Sequence, residues 1–172
     1  MVDKYLAIDA NGNTSEVEGT VTSAGAANAG EIVALDANGK LDPTVLPSGI
    51  GDSSKSIAAS ENMTAPCLVN IHNSSGQKVR YADASTAAAA KQAMGFIKDS
   101  VTSPANVNVY FEGEIPGFVG LTPGATYFLS DTTPGGVTTT PVTIAGRMLQ
   151  RIGVATSATT IDFEASAPII RG

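Results

Sequence analysis

Apolar stretches in this chain are short, and turn-forming residues interrupt them every few positions. Eighteen Gly and nine Pro fall among 172 residues, and Ser and Thr fill much of the space between. Such punctuation leaves room for strands of about four to six residues and argues against long helices. At 42% hydrophobic and 15% charged the chain is too apolar for a disordered segment. No apolar run approaches the roughly 18 residues of a membrane span.

The pattern is not uniform. Residues 1–55 carry eight acidic and three basic side chains, whereas residues 56–172 carry eight and seven, so most of the net charge of −6 sits in the first third. This acidic balance provides no basic surface for neutralising phosphates, which excludes nucleic acid as the expected partner. Within the first third, Ala7-Ile8-Asp9-Ala10-Asn11-Gly12 is echoed by Ala34-Leu35-Asp36-Ala37-Asn38-Gly39. Asn-Gly tolerates the positive φ of a tight turn, so the echo reads as two similar turns. Between them, residues 22–30 are all small and read as a flexible or surface-hugging connector. Pro43 and Pro47 favour extended chain before them, and residues 49–54 read as a hinge. Residues 1–55 are therefore expected to form an extended arm with sticky apolar sites and little core of its own.

Residues 56–172 read as a β-domain, a small barrel or sandwich. Cys67-Leu68-Val69-Asn70-Ile71-His72 and Gln77-Lys78-Val79-Arg80-Tyr81 alternate around a Ser-Ser-Gly turn and predict a hairpin. Further strands are expected at 96–97, 106–111, 118–119, 126–129, 137–139, 148–155 and 160–163. One short helix is expected over the alanine-rich 83–95, capped by Asp83 or Ser85 and ended by Gly95. Val107, Val109 and Phe111 form an apolar face on one strand, which makes them the candidate contact between copies of the chain.

Chemistry-bearing constellations are sparse. With Cys67 the single cysteine, there is no intrachain disulfide and no multi-cysteine metal site. His72 is the single histidine, and no nucleophile elbow accompanies it. Asp36-Ala37-Asn38-Gly39-Lys40-Leu41-Asp42 has Lys40 where a calcium ligand belongs and lacks the closing Glu, so the turn reading is preferred. Glu112 and Glu114 read as a solvated strand end, since no Trp is present to stack a sugar. No catalytic residue, cofactor or metal is expected, and the chain is not expected to be an enzyme. The start, Met-Val-Asp-Lys-Tyr, lacks a secretory n-region and h-region, which predicts synthesis in a cytoplasm.

Gly120-Leu121-Thr122-Pro123-Gly124-Ala125-Thr126-Tyr127-Phe128-Leu129-Ser130, followed by Pro134-Gly135-Gly136-Val137-Thr138, resembles the C-terminal module of bacteriophage capsid decoration proteins, also called cement or head-fibre proteins. The stretch 150–161 is similar to that family's closing hairpin. Residues 22–25 and 32–43 resemble its capsid-proximal part. The resemblance implies a homotrimer on the outer surface of a phage capsid, made in the host cytoplasm and bound to the major capsid protein. It implies that the arm lies on the shell and the β-domain projects. On that expectation Ile32, Val33, Leu35, Leu41, Val45, Leu46 and Ile50 are the shell-contacting residues of the arm. Related modules also occur in tail fibres, so the alternative is a tail-associated fibre or tip protein that recognises a host receptor.

Overall fold

A computed structural model describes residues 4–8, 11–46, 53–85 and 91–172. The chain divides into two compact units, Met1–Gly51 and Asp52–Gly172.

The N-terminal unit begins with an antiparallel hairpin of β1 (Lys4–Ile8) and β2 (Thr14–Glu18), in which Lys4 faces Glu18, Leu6 faces Glu16 and Ile8 faces Thr14. Gly12, at φ 83°, takes the left-handed conformation that the Asn-Gly pair predicts. The second Asn-Gly also turns the chain, with Gly39 at φ 73°, but no strands flank it. Instead, Asp36 Oδ1 accepts hydrogen bonds from Asn38 N (2.8 Å) and Lys40 N (2.9 Å), closing an Asx turn. Thr20 and Val33 form a single parallel bridge. The connector expected to be flexible or surface-hugging contains a 3₁₀ turn at Gly25–Asn28, and Asn28 Oδ1 holds Ala24 N at 2.6 Å. Likewise, residues expected to be extended form a 3₁₀ turn at Pro43–Val45. Pro43 occupies the first position of that turn, where its missing N–H costs nothing, and Asp42 caps it through Thr44 N at 2.9 Å.

The C-terminal unit is mainly β and contains a closed five-stranded barrel, with strand order β3-β5-β4-β6-β7. Its strands are β3 (Ser54–Ala59), β4 (Cys67–Asn73), β5 (Gln77–Tyr81), β6 (Gly95–Ile97) and β7 (Asn106–Tyr110). β3 runs parallel to β5, and every other neighbouring pair is antiparallel. The predicted hairpin is the β4–β5 pair, with His72 opposite Lys78. β3 starts at Ser54, inside the segment read as hinge and arm; Ile57 and Ala59 carry it into the barrel interior.

The rest of the unit comprises β8 (Gly113–Ile115), β9 (Thr126–Leu129), β10 (Val137–Thr138), β11 (Met148–Leu149), β12 (Arg151–Ala155), β13 (Ile161–Phe163) and β14 (Ile169–Ile170). A second, antiparallel sheet has the order β10-β9-β12-β13-β8, while β11 pairs with β14. Residues 118–119, expected as a strand, lie in a loop beyond Pro116; the strand of this region is β8, which begins five residues earlier than predicted. Of the helix predicted over 83–95, residues 86–90 lie outside the described residues, and residues 92–94 carry no regular structure. At its start, Asp83 Oδ1 accepts from Ser85 N at 2.8 Å. Gly95 does not end a helix but opens β6, where an added Cβ would come within 2.6 Å of Tyr110 O.

Two cores result. One fills the barrel with Ile57, Met63, Cys67, Val69, Val79, Ile97, Val107 and Val109. The other lies between barrel and second sheet, where Leu68 and Phe96 meet Ile115, Leu129, Met148, Ile152 and Phe163. Phe96 stacks on Tyr110 at 5.6 Å and meets Phe163 edge-on at 5.3 Å. Val107 and Val109 are buried inside the barrel and Phe111 packs against the same cluster, so these side chains serve the chain's own core. Val107 and Val109 are corrected as candidate contacts between copies: alternation identified the apolar face, and the neighbouring barrel strands cover these two, whereas Phe111 is only partly buried.

Gln150, buried between β11 and β12, ties the parts together. Its Oε1 accepts from Ala93 N at 2.8 Å, and its Nε2 donates to Ala93 O at 2.9 Å and Ser166 O at 3.0 Å. Gln150→Leu keeps the bulk and orphans these groups, at about 1–3 kcal/mol for each one left buried. Urea unfolding should show the variant less stable by at least about 2 kcal/mol, with wild-type stability counting against the clamp.

Candidate functional site

Among the described residues of the N-terminal unit, none is buried. A hairpin, one bridge and two short turns provide no opposing layer, so its aliphatic side chains remain in water. Ile32, Val33, Leu35 and Leu41 are 47–55% exposed, and Val45 and Leu46 are half-buried. Ile50, the seventh arm residue expected from the sequence, lies outside the described residues. Sequence reasoning missed Leu6 and Ile8, which are 71% and 75% exposed on β1. The signal was there: Lys4-Tyr5-Leu6-Ala7-Ile8 is apolar at both parities, which leaves one face of a two-stranded ribbon uncovered.

Carboxylates hold the surface in shape. Asp36 closes its turn over Asn38 and Lys40, Asp42 binds Thr44 N and Oγ1, and Glu31 accepts from Thr20 Oγ1 and from Asn28 Nδ2. Thr44 Oγ1 in turn accepts from Ser23 N at 2.8 Å, which ties the second 3₁₀ turn to the segment before the first. All three carboxyls are held below their ordinary pKa: Asp36 chiefly by the Lys40 backbone N–H, Asp42 and Glu31 by the hydroxyls of Thr44 and Thr20. The Asp36–Asp42 segment thus spends its first carboxylate on main-chain donors. Among the described residues, no group of three or more His, Cys, Asp or Glu is placed to hold a metal.

The polar candidates of the β-domain do not converge. Cys67 is buried in the barrel, and burial, with a smaller contribution from the charge of Glu61, pushes its thiol up to about 12. His72 Nε2 lies 2.9 Å from Ser60 Oγ, a pairing not foreseen from the sequence. Ser60 Oγ also donates to Val79 O at 3.1 Å. A carbonyl can only accept, so the single hydroxyl proton goes to Val79 and the ring nitrogen donates to Ser60. That is the reverse of a base drawing a proton from a nucleophile. Desolvation, and then the charge of Arg80, lower the pKa of His72 and favour the neutral ring. Glu114 is exposed on β8 and accepts from Thr156 Oγ1 at 3.3 Å; Glu112 is exposed in the loop before it.

One cavity of this unit, about 740 Å³, is lined by Met94, Phe111, Gln150, Phe163 and Ser166 among others. The polar atoms of Gln150 there are already spent on Ala93 and Ser166. Among the described residues no helix is long and apolar enough to cross a membrane. Compared with protein-family models, curated proteins and solved structures, the chain gives no match.

Two outcomes are expected. A thiol reagent at neutral pH should leave Cys67 unmodified in the folded chain and label it after denaturation; rapid native labelling would contradict its burial. Because the arm carboxyls are depressed, their contribution to turn stability is complete above the ordinary values and is lost as pH falls through the lower, folded ones. NMR titration should therefore give midpoints below 3.8 for Asp36 and Asp42 and below 4.5 for Glu31. The Lys40 and Thr44 amides should shift in step with them.

Proposed function

We propose that the chain is a non-enzymatic virion structural protein that binds the outer surface of a phage capsid as a homotrimer and stabilises or decorates it. The observation that carries this reading is an N-terminal unit with no buried side chain among its described residues and four large aliphatic side chains about half exposed. A unit built this way gains its packing from a neighbour. Laying Ile32, Val33, Leu35 and Leu41 on the major capsid protein returns at most about 1.5–3 kcal/mol for each large side chain, less the entropy of ordering it. Three linked copies convert such modest contacts into tight attachment through effective concentration. The resemblance of residues 22–25, 32–43, 120–130, 134–138 and 150–161 to decoration proteins supports the same reading.

Purified full-length chain should sediment at about three times its chain mass and co-sediment with phage shells. The triple variant Ile32→Lys, Leu35→Lys, Leu41→Lys alters exposed positions only. It should keep that mass and lose shell binding by at least about tenfold for each contact removed. Undiminished binding by this variant would overturn the role of the arm, and labelling of virions at the tail rather than the head would favour the fibre reading.

A further inference from the structure

The hairpin β1–β2 is a two-stranded sheet, and among the described residues no third strand pairs with either edge. A two-stranded ribbon is marginal in water; three or more strands are needed for independent stability. In a strand, successive residues send their N–H and C=O groups to opposite edges. Half of the main-chain groups of β1 and half of those of β2 therefore face outward, ready for another strand.

We propose that β1 of one copy adds antiparallel to β2 of the next copy, in the register the hairpin already uses, so that copies of this chain join head to tail. The occupant is a second copy because the chain's own pairing can be repeated on its outer edges. Lys4, which faces Glu18 within the hairpin and lies 3.2 Å from Glu16, would then have Glu18 of the neighbouring copy on its other side. Tyr5 would lie between two copies of Val17, an aromatic–β-branched pair of the kind that stabilises sheets. Leu6 and Ile8, now exposed, gain a flanking strand.

The like-with-like alternatives are poorer. Pairing β2 with β2 about its centre sets Glu16 against Glu16, and like charges directly opposite destabilise. Pairing β1 with β1 about Leu6 sets Lys4 against Ile8 and leaves both β2 edges open. Head-to-tail joining engages both outer edges of any hairpin that lies between two others, and it permits an odd number of copies. The inference deepens the homotrimer of the proposed function and rests on it only for the number three.

Leu6 and Glu16 are directly opposite and both exposed, so Leu6→Cys and Glu16→Cys chains each carry one new thiol that can bond only between copies. Cys67, buried in the barrel, does not compete. Co-expressed and mildly oxidised full-length chains should give a two-chain band on a non-reducing gel, and neither variant alone should. A band from Leu6→Cys alone or Glu16→Cys alone means like-with-like pairing and overturns the proposal. No band from this mixture or from Ala7→Cys with Ser15→Cys, the neighbouring opposed pair, overturns it too. Cross-linking without shell binding would sink the capsid reading alone. Shell binding by a three-chain species without the cross-link would sink this inference alone. A one-chain mass for the unmodified protein would sink both the inference and the homotrimer.

Discussion

Strand β4 is covered on both faces, and the architecture of the C-terminal unit follows from that. Cys67 and Val69 point into the barrel, while Leu68 packs with Phe96 against residues of the second sheet. A closed barrel normally offers its outer face to water. Here part of that face is apolar, so a second layer must cover it. The open sheet β10-β9-β12-β13-β8 supplies Ile115, Leu129, Ile152 and Phe163 for the purpose. The aromatic contacts of Phe96, with Tyr110 on the barrel and Phe163 on the sheet, join the two layers.

The N-terminal unit meets the opposite condition. Its local geometry is well specified by Asx turns, a capped 3₁₀ turn and Asn-Gly chemistry, yet no layer lies over its side chains among the described residues. Polar side chains fix the backbone, and aliphatic ones are left outside. Order without a core is what allows a surface to be shaped before it meets a partner: less conformational entropy is lost on contact than an unstructured segment would lose.

Much of the β-domain was legible because alternation is a strong signal wherever one face is buried. β4, β5, β6, β7 and β9 fall close to where the apolar runs lie. What the sequence could not show is who covers a given face. Val107 and Val109 look the same whether a neighbouring strand of the same chain or a second molecule buries them, since periodicity reports burial and not its source. β8 was misplaced because Phe118 and Val119 are the more apolar pair, while pairing with β13 selected Gly113–Ile115. In the arm, Pro43 was read for its effect on the residue before it, although Asp42 in front of it provides the cap that starts a 3₁₀ turn. Gln150 carried no signal at all, because its partners Ala93 and Ser166 are remote in sequence.

The terminal strands of the second sheet bear on how densely such molecules can be crowded. β10 offers two residues and β8 three, with the Glu114 carboxylate on the latter, and the barrel closes on itself. Truncated and charged borders of this sort are poor templates for uncontrolled fibril growth. Many domains of this kind can therefore stand shoulder to shoulder at high local density without knitting into aggregates.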